Sequence, residues 1–468
     1  MTQFHSHRQP AVASRIRLGV EQMEDRSVPA ASILNGLFDP TQVNPSFGAA
    51  TANIYTETNN PNSGSSAILG FHQDGNGSLT QFGTFATGGT GQLNIPKVVG
   101  PDDGDQEVQA SADGRYLFAV NEGSNSVSAF RILPTGNLKL IGDFASGGEQ
   151  PDSIGIVGAH LYVANRGDAT QTHPGTIAPN VTGFDIAPNG ALTPIPNSTV
   201  SFPVGTFVTQ TLASPDGRFL FVEDATLSGT PDGNSINPFQ IKADGSLQLA
   251  PGGAVAASAN PSLLLGAAVN PTLNIVYAGL TAISQVGVFT YDEIGRTSFV
   301  GASPDLGTAP CWCVVSPDAR FLYVSNTATD SIGVYSLADP LHPVQIQDLV
   351  LGGPHSATGT GFQTAVFEIA LDWRTRSLDV IGQSSDPTFP QGNQLHSLTV
   401  ARDGTLTENT GPIILSGAEV PADAHPQGLA VVATGHEHWH DLIGQRFAGF
   451  DFGDETSALG QYWGHRHV

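Results

Sequence analysis

Basic residues and cysteines are scarce in this sequence of 468 residues, and each scarcity excludes a class of protein. Lysine and arginine together number 18 against 42 acidic residues, so the formal net charge is −24. Nucleic acids are therefore excluded as partners, because their recognition requires a basic surface, and anionic membranes are disfavoured for the same reason. The two cysteines, Cys311 and Cys313, are too few for a framework of disulfides.

Long apolar runs are also missing. No stretch of about 18 apolar residues occurs, which predicts a chain without a transmembrane helix. The sequence has instead 55 glycines, 32 prolines, 39% hydrophobic residues and only 13% charged residues. This composition is typical of a globular, turn-rich protein rather than a disordered one.

One short phrase recurs along the chain. "ASPDGRFLFV" at 213–222 returns as "ASADGRYLFAV" at 110–120 and as "VSPDARFLYV" at 315–324. The arginines of these copies are 103 and 102 residues apart, and half of that distance, about 51 residues, suits one unit of a repeat array. Weaker copies stand at the expected intermediate places, at 53–59, 157–167, 269–280 and 371–382.

Each copy is followed by a second phrase of alternating apolar residues, such as "NSVSAFRI" at 125–132, and then in most units by a Gly-x-Leu turn. Alternation is the period of a β-strand, and Asp-Gly or Asn-Gly before such a run favours a hairpin. The apolar "FLFV" predicts a strand buried on both faces. We therefore expect an all-β fold, a seven-bladed β-propeller of four-stranded antiparallel blades.

The first unit lacks its leading strand, whereas "AHPQGLAVVA" at 424–433 is a strand with no partner after it. We expect this late segment to become the innermost strand of the first blade, so that the N- and C-terminal strands close the ring and remove its open edges. The predicted domains are a largely disordered leader at 1–48, the propeller at 49–434 and a His-rich tail at 435–468.

The leader contains "RIRLGVEQMEDRSVPAA" at 15–31. It resembles a short sorting motif of exported bacterial proteins, Val-Glu-x-Leu-Glu-Asp-Arg-x-x-Pro-Ala, with Met23 in place of the Leu. That resemblance implies export to the periplasm or beyond, and a tail without any address is the alternative. The histidines of the C-terminal segment, "GHEHWHD" at 435–441, predict affinity for transition metals in vitro, but we expect a polar tail and no physiological metal site.

The phrases "SPDARFLYVSN" at 316–326 and "SVSAF" at 126–130 resemble the lactonase-type seven-bladed propellers. This family includes 6-phosphogluconolactonase-like and 3-carboxymuconate cyclase-like proteins. "LYVANRG" at 161–167 and "LYVSNTA" at 322–328 also resemble the Tyr-Val-Thr-Asn repeats of surface propellers. The resemblance covers about 50–434 and implies hydrolysis of a small sugar or carboxylic-acid lactone in the central funnel, with no cofactor.

In that family a Pro-Arg-His or Pro-His phrase often supplies groups to the funnel, and this sequence departs from it. Lactone hydrolysis requires a base and a donor for the developing oxyanion. The candidate catalytic residues are Glu107 and Asp152 as bases and His425 as a base or donor. The candidate substrate-binding residues are Gln106, Arg166, Gln210, Trp312, Gln363 and Gln427.

Two functions therefore stay open. The first is lactone hydrolysis in the funnel. The second is a non-catalytic exported propeller that binds a small ligand or a protein partner at one face, which the missing His and Arg phrases favour.

Two other groups of residues are given simpler interpretations. The acidic run "PDDGDQ" at 101–106 lacks the spacing of a calcium loop and is expected to be a solvated loop. Cys311 and Cys313 share one face of a predicted strand, and two thiols without further ligands favour packing over a zinc site.

Overall fold

The computed structural model of the chain describes residues 51–92, 104–168, 175–226, 233–257, 262–354, 364–384, 388–422 and 424–434. Within these residues the secondary structure is β-strand, apart from three single turns of 3-10 helix at Glu122–Ser124, Thr281–Ile283 and Pro390–Gly392. The predicted leader and His-rich tail lie outside the described residues. No helix in the described part of the chain is long and apolar enough to cross a membrane.

The strands form seven antiparallel sheets, the blades of the predicted propeller. Blade 1 contains β1 (Ala52–Glu57), β2 (Ala67–Gln73), β3 (Leu79–Ala86) and β31 (Gln427–Ala433). Blade 2 contains β4 (Val108–Ala110), β5 (Tyr116–Asn121), β6 (Ser126–Ile132) and β7 (Leu138–Ala145). Blade 3 contains β8 (Pro151–Val157), β9 (His160–Asn165), β10 (Asn180–Ile186), β11 (Leu192–Pro194) and β12 (Val200–Ser201). Blade 4 contains β13 (Phe207–Ala213), β14 (Phe219–Ala225), β15 (Ser235–Ile241), β16 (Leu247–Leu249) and β17 (Val255–Ala256).

The remaining three blades follow the same plan. Blade 5 contains β18 (Leu264–Val269), β19 (Ile275–Leu280), β20 (Gln285–Tyr291) and β21 (Thr297–Pro304). Blade 6 contains β22 (Pro310–Val315), β23 (Phe321–Asn326), β24 (Ser331–Ser336) and β25 (Val344–Val350). Blade 7 contains β26 (Ala365–Asp372), β27 (Ser377–Gln383), β28 (Gln394–Val400), β29 (Leu406–Glu408) and β30 (Ile413–Ile414). In blades 3, 4 and 7 the outer strand is divided into two short pieces that pair with the same neighbour.

The predicted closure of the ring is confirmed. The sheet order of blade 1 is β3-β2-β1-β31, so the last strand of the chain is the innermost strand of the first blade. β31 pairs antiparallel with β1, with Ala52 opposite Ala433 and Tyr55 opposite Ala430. Backbone hydrogen bonds thus join the two ends of the propeller and leave no open edge between its first and last blades.

The recurring phrase has the predicted role. In blade 4 the turn at 214–218 joins β13 to β14, where Gly217 has the left-handed φ of +69° that favours glycine. Every residue of β14 is buried, as the continuous apolar run predicts. Side chains of neighbouring blades pack together along each seam, and Phe221 of blade 4, for example, contacts the ring of Tyr291 in blade 5 at 4.8 Å between centroids.

Candidate functional site at the centre of the ring

The inner strands of the seven blades surround a central channel, and they contact one another in the ring order β31, β4, β8, β13, β18, β22 and β26. We call the end at which these strands begin the entry face. The opposite end carries the hairpin turns that join the first strand to the second and the third to the fourth, and we call it the hairpin face. The candidate residues that the structure describes lie near the entry face.

The chain just before β4 crosses this channel. Residues 104–107, called here the channel segment, contact blades on both sides of the ring. The backbone N–H of Asp105 donates to the carbonyl of Thr209 in blade 4 at 3.0 Å. From blade 6, the indole Nε1–H of Trp312 donates to the carbonyl of Gly104 at 2.6 Å.

Blade 7 holds the same segment through a carboxylate. Glu368 Oε1 accepts the backbone N–H of Gln106 at 2.7 Å and that of Glu107 at 3.3 Å. The carbonyl of Gln106 accepts the N–H of Ile154 in blade 3 at 3.0 Å. The channel segment is therefore fixed by blades 3, 4, 6 and 7 and occupies the centre of the ring.

Gln210, a predicted binding residue, ties this segment to blade 5. Its Nε2 donates to Asp105 Oδ2 at 2.7 Å and to the carbonyl of Ala267 at 3.2 Å. Its Oε1 accepts the N–H of Ala267 at 2.6 Å. The amide of Gln210 is therefore fully used in bridging two blades and one carboxylate, which fixes the position of that carboxylate.

The carboxylates at the centre are buried close together. Burial raises the pKa of Asp105 well above its ordinary value, and the negative charges of Glu368 and Glu223 raise that pKa further. Burial also raises the pKa of Glu368 and that of Glu223 to about 8 each. Because the charged forms are disfavoured in this way, the cluster holds protons at neutral pH that isolated carboxyl groups would release.

Aromatic rings surround the cluster on the side of blades 4, 6 and 7. Trp312 packs against Phe367 with 4.4 Å between ring centroids, and Phe207 belongs to the same buried apolar group. The guanidinium of Arg166 lies over the ring of Phe207 at 4.7 Å from its centroid, and Arg166 is buried. We call the rings of Trp312, Phe367 and Phe207 the aromatic wall. It lowers the local dielectric and so strengthens the electrostatic interactions of the groups beside it.

The predicted bases are buried beside the channel segment. Glu107 belongs to it and is only 1% exposed, while the Cβ of any residue larger than glycine at Gly104 would lie 2.0 Å from the carbonyl oxygen of Asp152. His425 is also buried, immediately before the closing strand β31. Gln427 uses its side chain within blade 1, where its Oε1 accepts the Nδ2–H of Asn59 at 2.9 Å.

The structure thus gathers most of the predicted residues around one feature. Gln106, Glu107, Asp152, Gln210 and Trp312 all contact or belong to the channel segment. Arg166 lies against the aromatic wall. His425 and Gln427 lie at the closing strand. Gln363 lies outside the described residues.

One expectation about this region is wrong. The acidic run before β4 was expected to be a solvated loop, but Asp105 in that run is buried. It is only 7% exposed and accepts a hydrogen bond from Gln210. The reason is topological, since the chain enters β4 from inside the ring and the channel segment must pass through its centre. Asp102 and Asp103 lie outside the described residues.

Sequence reasoning missed Glu368 and Glu223, which belong to this cluster. Each is an acidic residue within an otherwise apolar strand, in "AVFEIALD" at 365–372 and "FLFVED" at 219–224. Burying an ionised carboxylate costs free energy unless it is paired or hydrogen-bonded. An acidic residue in an apolar strand was therefore the feature of the sequence that could have identified these two residues. Within the described residues no three His, Cys, Asp or Glu side chains are placed to hold a metal ion, so these residues form no metal site among themselves. Cys311 and Cys313 are buried and packed, as expected.

The sequence matches the model of the family described as "Lactonase, 7-bladed beta-propeller" at residues 62–176 and 225–361, which is more than half of the chain. A comparison with curated proteins found no match. Among solved structures, a periplasmic gluconolactonase of Pseudomonas aeruginosa aligns with a TM-score of 0.60 at 20% identity, over 82% of this chain and 100% of that one. A structure from Bacteroides uniformis, described as a putative 6-phosphogluconolactonase, aligns with a TM-score of 0.61 at 17% identity, over 82% and 100% of the two chains. At these identities the structures show a shared fold.

Proposed function

Since the chain belongs to the seven-bladed β-propeller lactonase family, we propose that it hydrolyses a small lactone at the centre of the entry face. The observation that carries this proposal is that two buried carboxyl groups are fixed at the channel segment. Gln210 Nε2 donates to Asp105 Oδ2 at 2.7 Å, Glu368 Oε1 accepts the N–H of Gln106 at 2.7 Å, and the charge of Glu368 raises the pKa of Asp105. Repulsion between two neighbouring carboxylates favours the state in which one group is protonated and the other ionised, and in that state one can act as an acid and the other as a base.

Lactone hydrolysis needs both roles. The ionised carboxylate takes a proton from water as its oxygen attacks the carbonyl carbon, and the carboxylic acid gives its proton to the ring oxygen as the carbon–oxygen bond breaks. The product is a hydroxy acid, and the proton balance of the pair is restored. Glu107 and Asp152 remain candidate bases beside this pair, and His425 a candidate donor. Gln106, which is half-buried in the channel segment, remains a candidate substrate-binding residue.

The test is hydrolysis in a pH-stat with the full chain and a panel of sugar and muconate lactones. We expect turnover of at least one lactone, and a loss of about 100-fold or more in Glu368→Gln. A Glu107→Gln/Asp152→Asn double variant asks whether the residues first predicted as bases contribute. Glu293→Gln, which removes an exposed carboxylate on the hairpin face, is the matched control and should retain full turnover. Full activity in Glu368→Gln would contradict the role given to the pair.

A second function, a non-catalytic propeller that binds a ligand or a protein partner, is favoured by a different observation. The channel segment fills the centre of the ring, so a ligand must bind above it on the entry face or displace it. This function predicts that a lactone raises the thermal midpoint of the protein while no member of the panel is turned over.

We further propose that the protein is exported. The sorting motif at 15–31 supports this, and the solved gluconolactonase of similar fold is periplasmic according to its description. Fractionation of source cells should then place the protein outside the cytoplasm. Recovery of the full-length chain from the cytoplasmic fraction alone would contradict export.

A further inference from the structure

On the hairpin face, most blades press one turn against the preceding blade. The turns between the third and fourth strands contain a glycine with a left-handed φ between +77° and +87°, namely Gly77, Gly136, Gly190, Gly245, Gly295 and Gly404. At the last five of these glycines, an added Cβ would lie 2.3 to 2.6 Å from a side chain of the preceding blade. At Gly404, for example, that side chain is the ring of Phe321. The seams between these blades are therefore closed on the hairpin face.

Gly77 is the exception. An added Cβ there would meet only Ser397 Oγ, at 3.6 Å. The cause lies in blade 7, where Ser377 and Asp379 occupy the positions that Phe321 and Tyr323 occupy in blade 6. Two aromatic side chains are thereby replaced by short polar ones, and a cleft of about 260 Å³ opens at the seam between blades 7 and 1.

The floor of this cleft is polar and fixed. Gln73 of blade 1 donates through Nε2 to Asp379 Oδ1 at 2.9 Å and to Ser397 Oγ at 2.7 Å. Its Oε1 accepts the hydroxyl of Ser377 at 3.0 Å. These hydrogen bonds join the two blades through buried polar groups, where other seams are joined by apolar contacts.

Arg376 supplies the cation at the edge of the cleft. Its guanidinium lies 4.3 Å from the centre of the Trp373 ring, and its buried Nη1 has no hydrogen-bond partner among the described residues. The arginines at the equivalent positions of blades 2 and 4, Arg115 and Arg218, are instead paired with Asp113 and Asp216. Arg376 lines the cleft and is half-buried, so the accessible part of its guanidinium can bind an oxyanion there through charge-assisted hydrogen bonds.

The other residues that line the cleft indicate which groups the ligand carries besides an oxyanion. The lining includes hydroxyl and amide side chains, and Asn409 donates to Thr399 Oγ1 at 2.8 Å. Hydroxyl and amide groups retain further capacity to donate and accept, which suits a ligand that carries several hydroxyl groups. Asp74 also lines the cleft, in a protein with a net charge of −24, so a second negative charge on the ligand is opposed. A monocarboxylate fits these constraints better than a phosphate dianion.

We propose that the cleft between blades 7 and 1 is a second binding site, on the hairpin face, for a small hydroxylated monocarboxylate of the sugar-acid class. Arg376 binds the carboxylate, and the hydroxyl and amide side chains bind the hydroxyl groups. The site is separate from the centre of the entry face and does not depend on the activity proposed there. Its volume lies just below the range of about 300–1,000 Å³ found for drug-sized ligands, as a monosaccharide-sized ligand requires.

The test is isothermal titration calorimetry of the full-length protein with sodium D-gluconate at pH 7. We expect saturable binding with a dissociation constant of about 1 mM, as suits a small polar ligand. Binding of acetate and glucose should be weaker, because each offers only half of the recognised groups. Inorganic phosphate should also bind more weakly than gluconate.

Three variants locate the site. Arg376→Gln should weaken gluconate binding by about tenfold or more, through loss of the charge-assisted hydrogen bond. Ser377→Phe restores the side chain of blade 6 and should abolish binding by filling the cleft. Arg320→Gln changes the equivalent arginine of blade 6 and should leave binding unchanged. Glu293→Gln, which removes an exposed carboxylate of the hairpin face outside the cleft, should also leave it unchanged.

The proposal is overturned if gluconate gives no saturable heat up to about 20 mM, or if Arg376→Gln binds it as the wild type does. Phosphate binding tighter than gluconate binding would overturn the ligand class. If Ser377→Phe fails to fold, the pair of arginine variants still decides the outcome.

Discussion

The seams between blades and the centre of the ring are built from opposite kinds of residue. At the seam of blades 6 and 7, Phe321, Tyr323 and Leu398 are buried in one apolar cluster. At the centre, Asp105 and Glu368 are buried with raised pKa values. The seam residues recur from blade to blade, whereas the central residues do not.

This difference separates what builds the fold from what is available for function. A repeated apolar position stabilises every blade in the same way, by removing area from water. Burial destabilises the charged form of a carboxylate, and hydrogen bonds such as those that Glu368 accepts from the channel segment offset only part of that cost, so buried carboxylates with shifted pKa values are candidates for a functional site. The seam of blades 7 and 1 lies between the two cases, because it retains the repeat in its backbone but replaces two aromatic residues by Ser377 and Asp379.

The largest effect on stability should come from the apolar seams. Phe221 is completely buried and contacts Tyr291, so Phe221→Ala should lower the free energy of unfolding by about 3–5 kcal/mol through lost burial and a residual cavity. Urea titration at pH 7 measures this loss. Leu306→Ala is the control, since Leu306 is 75% exposed and its truncation should change stability by less than about 0.5 kcal/mol. Comparable losses in both variants would remove the distinction between seam and surface.

A smaller effect should come from the centre, and it should depend on pH. Burial raises the pKa of Glu368 from 4.5 to about 8, so the folded protein holds a proton that the unfolded chain releases above pH 4.5. The stabilisation from this proton is complete below that pH, declines as the pH rises, and is lost above about 8. The wild type should therefore lose stability between about pH 5 and pH 8, as carboxyl groups of raised pKa require.

Glu368→Gln removes the titrating group. The decline in stability across this pH range should be smaller in the variant, by roughly 4 kcal/mol at most, since each pKa unit corresponds to about 1.4 kcal/mol; the remainder is due to Asp105 and Glu223. Urea titrations at a series of pH values measure the profile. Glu293→Gln removes an exposed carboxylate and should follow the wild type. Parallel profiles for the wild type and Glu368→Gln would show that burial at the centre does not set this dependence.

The blades and their closure could be predicted from the sequence because both depend on patterns of residue types within single units. The turn at 214–218 and the apolar strand after it require the same residue types in each blade, and these requirements are visible one unit at a time. The closing strand followed from counting, since the first unit lacked the strand before its copy at 53–59 and one strand was left over at 424–433. The seven antiparallel sheets confirm the blades, and the pairing of β1 with β31 confirms the closure.

The centre of the ring was harder to predict because its contacts join residues that are far apart in sequence. Gln106 lies 262 positions from Glu368, whose carboxylate accepts its N–H. No periodicity connects them, and the crossing of the channel by residues 104–107 depends on how the whole ring closes. Sequence reasoning found Gln106, Gln210 and Trp312 from their positions at the start of inner strands, and it missed Glu368 because that residue lies further along its strand.

The smallest effect should come from a hydrogen bond that links neighbouring blades. The hydroxyl of Tyr323 donates to the carbonyl of Gly404 at 3.1 Å, and Tyr162 donates to Gly245 at 2.9 Å at the equivalent seam. Each Tyr→Phe variant leaves the ring packed and one carbonyl without its donor, which should cost about 1 kcal/mol. Urea titration of the two single variants should give similar losses, because the repeat places both hydroxyls in the same surroundings. No loss in either would mean that the seams are held by apolar packing alone, and blade 4, where Phe221 stands at this position, would then be the general case rather than a variation.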